Sequence, residues 1–231
     1  MKSKISLSIA FLCVCATVGA DEPSKSDVKV LFNGKDLSGW EGRDDLWSVE
    51  GGAIVGRTHA DKPLKANTFL VWKERQPGDF ELALQFKIEG GNSGIQYRSK
   101  VLDEEKFIVG GYQADIDFTN KFAGILYEEK GRGILAGRGQ KVTIGDDGKK
   151  SASQFAQSAE LATGIHPGQW NDYRVVAQGN RLQHFINEAL TAEVLDQQND
   201  KSAAKGVIAL QIHVGPPMVV RFKNITLRQL K

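Results

Sequence analysis

The residues best placed to do chemistry lie in the run Tyr112-Gln113-Ala114-Asp115-Ile116-Asp117. Successive side chains of an extended strand point to opposite faces. Gln113, Asp115 and Asp117 therefore share one face, and Tyr112, Ala114 and Ile116 share the other. Two carboxylates at i and i+2 stand roughly 6.6 Å apart along the backbone. Such neighbours push each other's pKa upward, which keeps one protonated and suits acid–base work on a sugar. The same pair also suits a hard divalent cation such as Ca2+, which takes oxygen ligands; beyond that alternative the pattern calls for no cofactor. A solvated strand face is the competing reading. Three polar groups in a row, preceded by Gly110-Gly111 where a ligand can approach, weigh against it.

Three further segments carry polar side chains at alternate positions. In Asn92-Ser93-Gly94-Ile95-Gln96-Tyr97-Arg98, strict alternation puts Gln96 and Arg98 on one face. An arginine stays charged, and its fork pairs with a carboxylate or a developing oxyanion; its plain role is an ion pair to Asp115 or Asp117. In Val207–Val214, Gln211 and His213 share a face opposite Leu210 and Ile212, just before Gly215-Pro216-Pro217. In Gly124–Gly133, Tyr127 can stack on a sugar ring and Arg132 can bind hydroxyls or a carbonyl. Asp115, Asp117, His213 and Arg98 are thus the candidate catalytic groups, with Asp115 and Asp117 as the metal alternative. Gln96, Gln113, Tyr127, Arg132 and Gln211 are the candidate substrate contacts. Trp40, Trp47, Trp72 and Trp170 read as packing residues. No G-x-S-x-G, H-E-x-x-H, P-loop or dinucleotide fingerprint occurs, so serine-hydrolase and nucleotide chemistry have no support.

The elements that position these residues are short strands punctuated by Gly, Asn, Asp and Pro. Phe80–Ile88 alternates strictly, the pattern of a half-buried antiparallel strand. Glu50-Gly51-Gly52 marks a hairpin between Leu46–Val49 and Ala53–Gly56. Other strands are predicted over Val28–Phe32, Phe69–Trp72, Gly94–Arg98, Tyr112–Phe118, Gly124–Tyr127, Gln140–Ile144, Trp170–Ala177, Leu182–Asn187, Val207–Val214 and Val219–Leu227. Helical patterning is confined to Ser151–Ala159 and, more weakly, Asn199–Ala204. Neither segment can cover a sheet, so the second layer must be another sheet: an all-β, antiparallel sandwich.

The chain ends add an address. Lys2 and Lys4 precede an apolar run from Ile5 to Val18, then Gly19-Ala20 and polar residues. This is the pattern of a secretory signal peptide over residues 1–20, and the run is short of the roughly 20 residues a spanning helix needs. Cleavage after Ala20 leaves a polar leader, residues 21–27, and one domain over 28–231, with no membrane span in the mature chain. The expected location is periplasmic or extracellular. Both cysteines, Cys13 and Cys15, fall in the signal segment, so the mature chain has neither disulfides nor thiol chemistry. Losing Lys2 and Lys4 takes the formal charge from +2 to zero. A neutral chain with dispersed charges has no footprint for nucleic acid and suits a small neutral partner.

Several segments together resemble the 3-keto-disaccharide hydrolase domain family. Leu31-Phe32-Asn33-Gly34-Lys35-Asp36-Leu37-Ser38-Gly39-Trp40 is similar to its opening motif. Asn92–Arg98 matches its Asn-Ser-Gly-x-x-x-Arg strand, and Tyr112-Gln113 its Tyr-Gln strand. Trp170–Arg174 with Phe185–Asn187 resembles its late hairpin, and Gly206–His213 with Phe222–Ile225 its closing strands. The resemblance spans Val28 to Leu230. It implies a concanavalin A-like jelly roll, exported, that acts on 3-keto sugars. A ketone at C3 acidifies the C2 hydrogen, so a base can form an enolate that expels the C1 oxygen before water adds. On that scheme His213 or Asp115 is the base, Arg98 or a metal on Asp115 and Asp117 steadies the enolate, and Asp117 is a ligand or acid. The chain departs from the family where many members carry Glu before Tyr-Gln and this one carries Gly111. A non-catalytic carbohydrate-binding module on the same fold is the alternative, and an ordinary two-acid glycosidase is a third reading.

Overall fold

A computed structural model describes residues 28–231; the expected signal peptide and leader lie outside them. The elements in chain order are β1 Val28–Val30, β2 Trp40–Glu41, β3 Trp47–Glu50, β4 Ala53–Arg57, β5 Thr68–Trp72 and β6 Phe80–Glu89. Then come β7 Asn92–Asp103, β8 Ile108–Asp117, β9 Leu126–Glu129, β10 Gly133–Ala136, β11 Gln140–Ile144 and β12 Lys150–Gln154. The only α-helix among the described residues, α1 Ser158–Thr163, follows. β13 Asn171–Gln178, β14 Arg181–Ile186, β15 Ala189–Asp196, β16 Val207–Ile212 and β17 Val219–Gln229 complete the chain.

The strands form two sheets. The larger runs β12-β11-β15-β14-β13-β6-β17-β4-β3, with β1 also on β17; the smaller runs β10-β9-β8-β7-β16-β5-β2. Pairing is antiparallel except between β11 and β15. The all-β sandwich is therefore as expected. Its core is built by period-2 burial. Phe80, Leu82, Leu84, Phe86 and Ile88 of β6 are buried and face Ile95, Tyr97, Tyr112, Ala114 and Leu210 of the smaller sheet. Each such side chain contributes about 1.5–3 kcal/mol by leaving water. The β3–β4 hairpin turns on Gly51 and Gly52, whose φ values of 57° and 75° are the left-handed conformations a tight hairpin loop requires.

One polar group is sealed into this core. His184 of β14 is fully buried; Tyr97 Oη lies 2.9 Å from its Nε2, and its Nδ1 lies 3.1 Å from the Ile125 carbonyl. Burial pushes its pKa down to about 3, so the ring is neutral, with Nδ1–H donating to Ile125 and Nε2 accepting from Tyr97.

Two expectations are corrected. Ser151–Ala159 is not a helix: Lys150–Gln154 is the edge strand β12, paired with β11, and helix begins only at Ser158. Ladder pairing overrides the helical leaning of a short Ser/Ala/Gln segment. Asn199–Ala204 is likewise turn and bend, closed by Lys201 and Ser202 N–H groups donating to Gln198 O. The strands β2, β10, β12 and β15 are additional to those predicted.

Candidate site on the outer face of the smaller sheet

The outer face of the smaller sheet is built by β7, β8, β9 and β16 lying side by side. As the alternation predicts, Gln113, Asp115 and Asp117 of β8 turn to it, while Tyr112, Ala114 and Ile116 enter the core. A pocket of about 430 Å³ opens there, lined by Gln113, Asp115, Asp117, Tyr127, Glu129 and His213, with Asn67 and Asn92 at its sides. Five sequence-predicted residues thus meet in one cavity.

Gln96 and Gln211 lie beneath it. Gln96 Nε2 donates to Gln113 Oε1 at 2.6 Å and Gln211 Nε2 donates to the same oxygen at 2.9 Å. Gln113 Nε2 in turn donates to Asp115 Oδ1 at 2.5 Å, and Ser99 Oγ donates to Gln96 Oε1 at 2.6 Å. All three glutamines are buried, and Gln113 Nε2 also reaches Gln211 Oε1 at 3.5 Å, so this network of amides satisfies groups that would otherwise cost a few kcal/mol each. Gln113 lies flat across Gly94, where a Cβ would come within 2.6 Å of it. Gly94 is therefore what allows the network to form.

Asp115 is the unusual ionisable group. It is 6% exposed. Burial drives its pKa up to about 8, the charges of Glu129 and Asp117 add to that, and the Gln113 hydrogen bond pulls the other way. At neutral pH it is largely a carboxylic acid with a proton to donate. His213 follows β16 at the pocket rim. Its Nδ1 contacts the carbonyl oxygen of Val214, so a neutral ring donates there and carries its lone pair on Nε2.

Asp117 does something different. Its two oxygens accept from Thr119 Oγ1 and from the backbone N–H groups of Thr119, Lys121 and Phe122. It organises the β8–β9 loop, which Arg138 braces through Asn120 and Ala123 O. A carboxylate so engaged has little left for a cation. No group of three or more His, Cys, Asp or Glu suited to a metal occurs among the described residues. The Asp115–Asp117 pair does not fit the hard-cation alternative.

Two expected members stand elsewhere. Arg98 does not share a face with Gln96, because the β7–β8 register shifts between Tyr97 and Lys100. At this bulge Arg98 takes φ 46°, and its buried guanidinium leaves the face. It donates to Gly78 O (2.9 Å), Gly179 O (2.6 Å) and Asp79 Oδ1 (2.7 Å), tying β7 to loops of the larger sheet. Its partner is Asp79 rather than Asp115 or Asp117. Arg132 also turns away, clasped between Glu128 and Asp196 at 2.6–3.1 Å. Asp196 accepts from Tyr112 Oη as well. Both arginines are structural ties between elements.

The bulge also accounts for Gly111. It has φ 140°, and a Cβ there would lie 2.5 Å from Ser99 Oγ and 2.7 Å from Ser99 Cα. No carboxylate side chain fits at that position. The strand partner of Gly111 is Glu129 of β9, and Glu129 turns a buried carboxylate into the pocket, accepting from Asn67 Nδ2 at 3.2 Å. Sequence reasoning passed over Glu129, although it stands two residues from Tyr127 and so shares its face. Asn67 had no local signal; only the fold brings it here. Phe122 (37% exposed) and Ile134 (47% exposed) give the rim an apolar edge beside Tyr127.

Solved structures with the same fold set this arrangement in context. A candidate glycosyl hydrolase from Parabacteroides distasonis matches with a TM-score of 0.58 at 20% identity, over 88% of this chain and 99% of that one. A galectin-like protein of unknown function from Bacillus subtilis matches with a TM-score of 0.58 at 12% identity, over 87% and 94%. The carbohydrate-binding module CBM66 from Bacillus subtilis matches with a TM-score of 0.53 at 15% identity, over 83% and 96%. At these identities the likeness establishes the jelly-roll fold. A search of curated proteins finds no match. Residues 27–228 match the model of the 3-keto-alpha-glucoside-1,2-lyase-like domain, nearly the whole of the described chain, and the protein belongs to that family.

Proposed function

We propose that this chain is an exported enzyme that cleaves 3-keto-glycosides through the outer-face pocket. The observation that carries the reading is Asp115: a carboxyl kept neutral by burial, in one cavity with an imidazole and a second carboxylate. A neutral acid can donate to a ketone oxygen and hold the charge of an enolate, the task the sequence had offered to Arg98. His213 Nε2 takes the C2 proton, and the electron pair of that bond forms the enolate, steadied by the Asp115 O–H. Collapse of the enolate makes the C1–C2 double bond and breaks C1–O. The departing oxygen takes up the proton that His213 had accepted, which returns the imidazole to its starting state, and water then adds its hydroxyl to C1 and a proton to C2. Export rests on the segment Lys2–Ala20.

The second reading, a binding module, draws on the apolar rim of Tyr127, Phe122 and Ile134 and on the fold shared with CBM66. Purified protein incubated with a glucoside and with its 3-keto form separates the readings. Release of the aglycone from the keto form alone supports the proposal. Cleavage of neither compound favours the module, and cleavage of the unoxidised glucoside an ordinary glycosidase.

A further inference from the structure

The acidic pocket occupies one end of the outer face; a larger cleft of about 960 Å³ occupies the other. Its floor is Val71, Val207, Gly110 and Gly111, apolar or bare of side chain, and its walls carry Lys73, Arg75, Lys100, Lys130, Lys201 and Lys205. Lys73 pairs with Glu41 at 3.1 Å and Lys130 stands 3.9 Å from Glu129. Arg75, Lys100, Lys201 and Lys205 make no ion pair among the described residues. The carboxylates on the same wall are Glu104, Asp200, Glu128 and Glu129; Glu128 is held by Arg132 and Glu129 accepts from Asn67. Cations thus outnumber free anions, and four face the cleft without a protein partner.

The two cavities meet at Glu129, which lines both. Strand β8 runs beneath them, and from Asp115 back to Gly111 is about 13 Å at the rise of an extended chain. A ligand seated with one ring over Asp115 extends along β8 onto the glycine floor and under the lysines. We infer that the basic cleft is a second saccharide subsite that takes an anionic sugar, a uronate or a sulfated ring, adjoining the bond cleaved. Unpaired surface cations around a concave, partly apolar floor attract such a group and orient it. The assignment rests on the proposed function for which end of the ligand reacts, although the charge preference can be measured without it.

The test is calorimetry on the whole mature chain with cellobiouronate, a disaccharide ending in a glucuronate, and with cellobiose. Cellobiouronate is expected to bind about tenfold tighter at about 0.05 M salt, with the preference largely lost at about 0.5 M. The double variant Lys100→Glu/Lys205→Glu abolishes the preference while retaining cellobiose binding and turnover of a small neutral 3-keto glucoside. Lys201→Ala gives a partial loss in the same direction. Equal affinity for the two disaccharides, or a preference indifferent to salt and to all three lysines, overturns the subsite. So does a short oligonucleotide that binds more tightly than cellobiouronate. Turnover of the neutral substrate without a charge preference sinks only the subsite; a charge preference without turnover sinks only the enzymatic reading.

Discussion

The two sheets have outer faces of opposite character. That of the larger sheet carries Lys87, Glu89 and Arg221, and Glu81 with Arg174 and Arg228, paired at 3.1–3.6 Å in the open. Such pairs are solvated, and each is worth between nothing and about 1 kcal/mol. The outer face of the smaller sheet has instead buried its polar groups: three glutamines, Asp115, Asp117 and Glu129. Among the described residues no cation pairs with Asp115, and its charged form is suppressed rather than matched. A chain that only needed a polar exterior would build the first face on both sides. Burial of a carboxyl group without a cation beside it opposes stability, which supports the proposal that the second face is the working one.

The contrast can be tested at its two extremes. Asp115→Asn should lower turnover of a 3-keto glucoside by about a hundred- to a thousandfold, while Glu81→Gln on the opposite sheet leaves it unchanged; steady-state kinetics on both variants decide it. Activity that depends on the neutral acid should fall as pH rises through about 8. Stability carries the same signature. The folded state retains a proton on Asp115 that the unfolded chain has lost above its ordinary carboxylate value. Stability should therefore drop as pH rises between about 4 and 8, and that component should vanish in Asp115→Asn. Melting temperatures across this range measure it.

A smaller effect sharpens the comparison. Gln113→Leu leaves the amides of Gln96 and Gln211 without their acceptor, at a cost of about 1–3 kcal/mol in denaturant unfolding. It also removes the hydrogen bond that favours ionised Asp115, so the alkaline limb of the pH–rate profile should move upward. The smallest effect is expected at Glu89→Gln, within about 0.5 kcal/mol of the parent, because its partners Lys87 and Arg221 remain solvated. A loss there as large as that at Gln113 would erase the distinction between the faces.

Most of the sandwich was legible because alternation is a local signal. Phe80–Ile88, Tyr112–Asp117 and Val207–Ile212 announce their two faces directly, and Gln113, Asp115, Tyr127, Gln211 and His213 followed from parity. Parity holds only while the ladder is unbroken. The bulge at Arg98 moves a predicted catalytic group away from the pocket, and nothing in Tyr97-Arg98-Ser99 announces a residue at φ 46°. Arg132 was misread because its acceptor Asp196 lies 64 residues away on β15, a strand the pattern did not reveal. Glu129 was within reach of the argument that placed Tyr127. Asn67 was not, since only long-range pairing carries it to Glu129.

The Arg98 clasp has a mechanical consequence. Slippage of β7 by two residues against β8 would keep every side chain on its proper face, so hydrophobic patterning alone does not forbid it. It would also drag the guanidinium off Gly78, Gly179 and Asp79, which belong to the opposite side of the sandwich. The bulge thus works as a detent: the alignment that sets Gln96 against Gln113 and Gly94 against Asp115 is latched from outside the sheet that contains it.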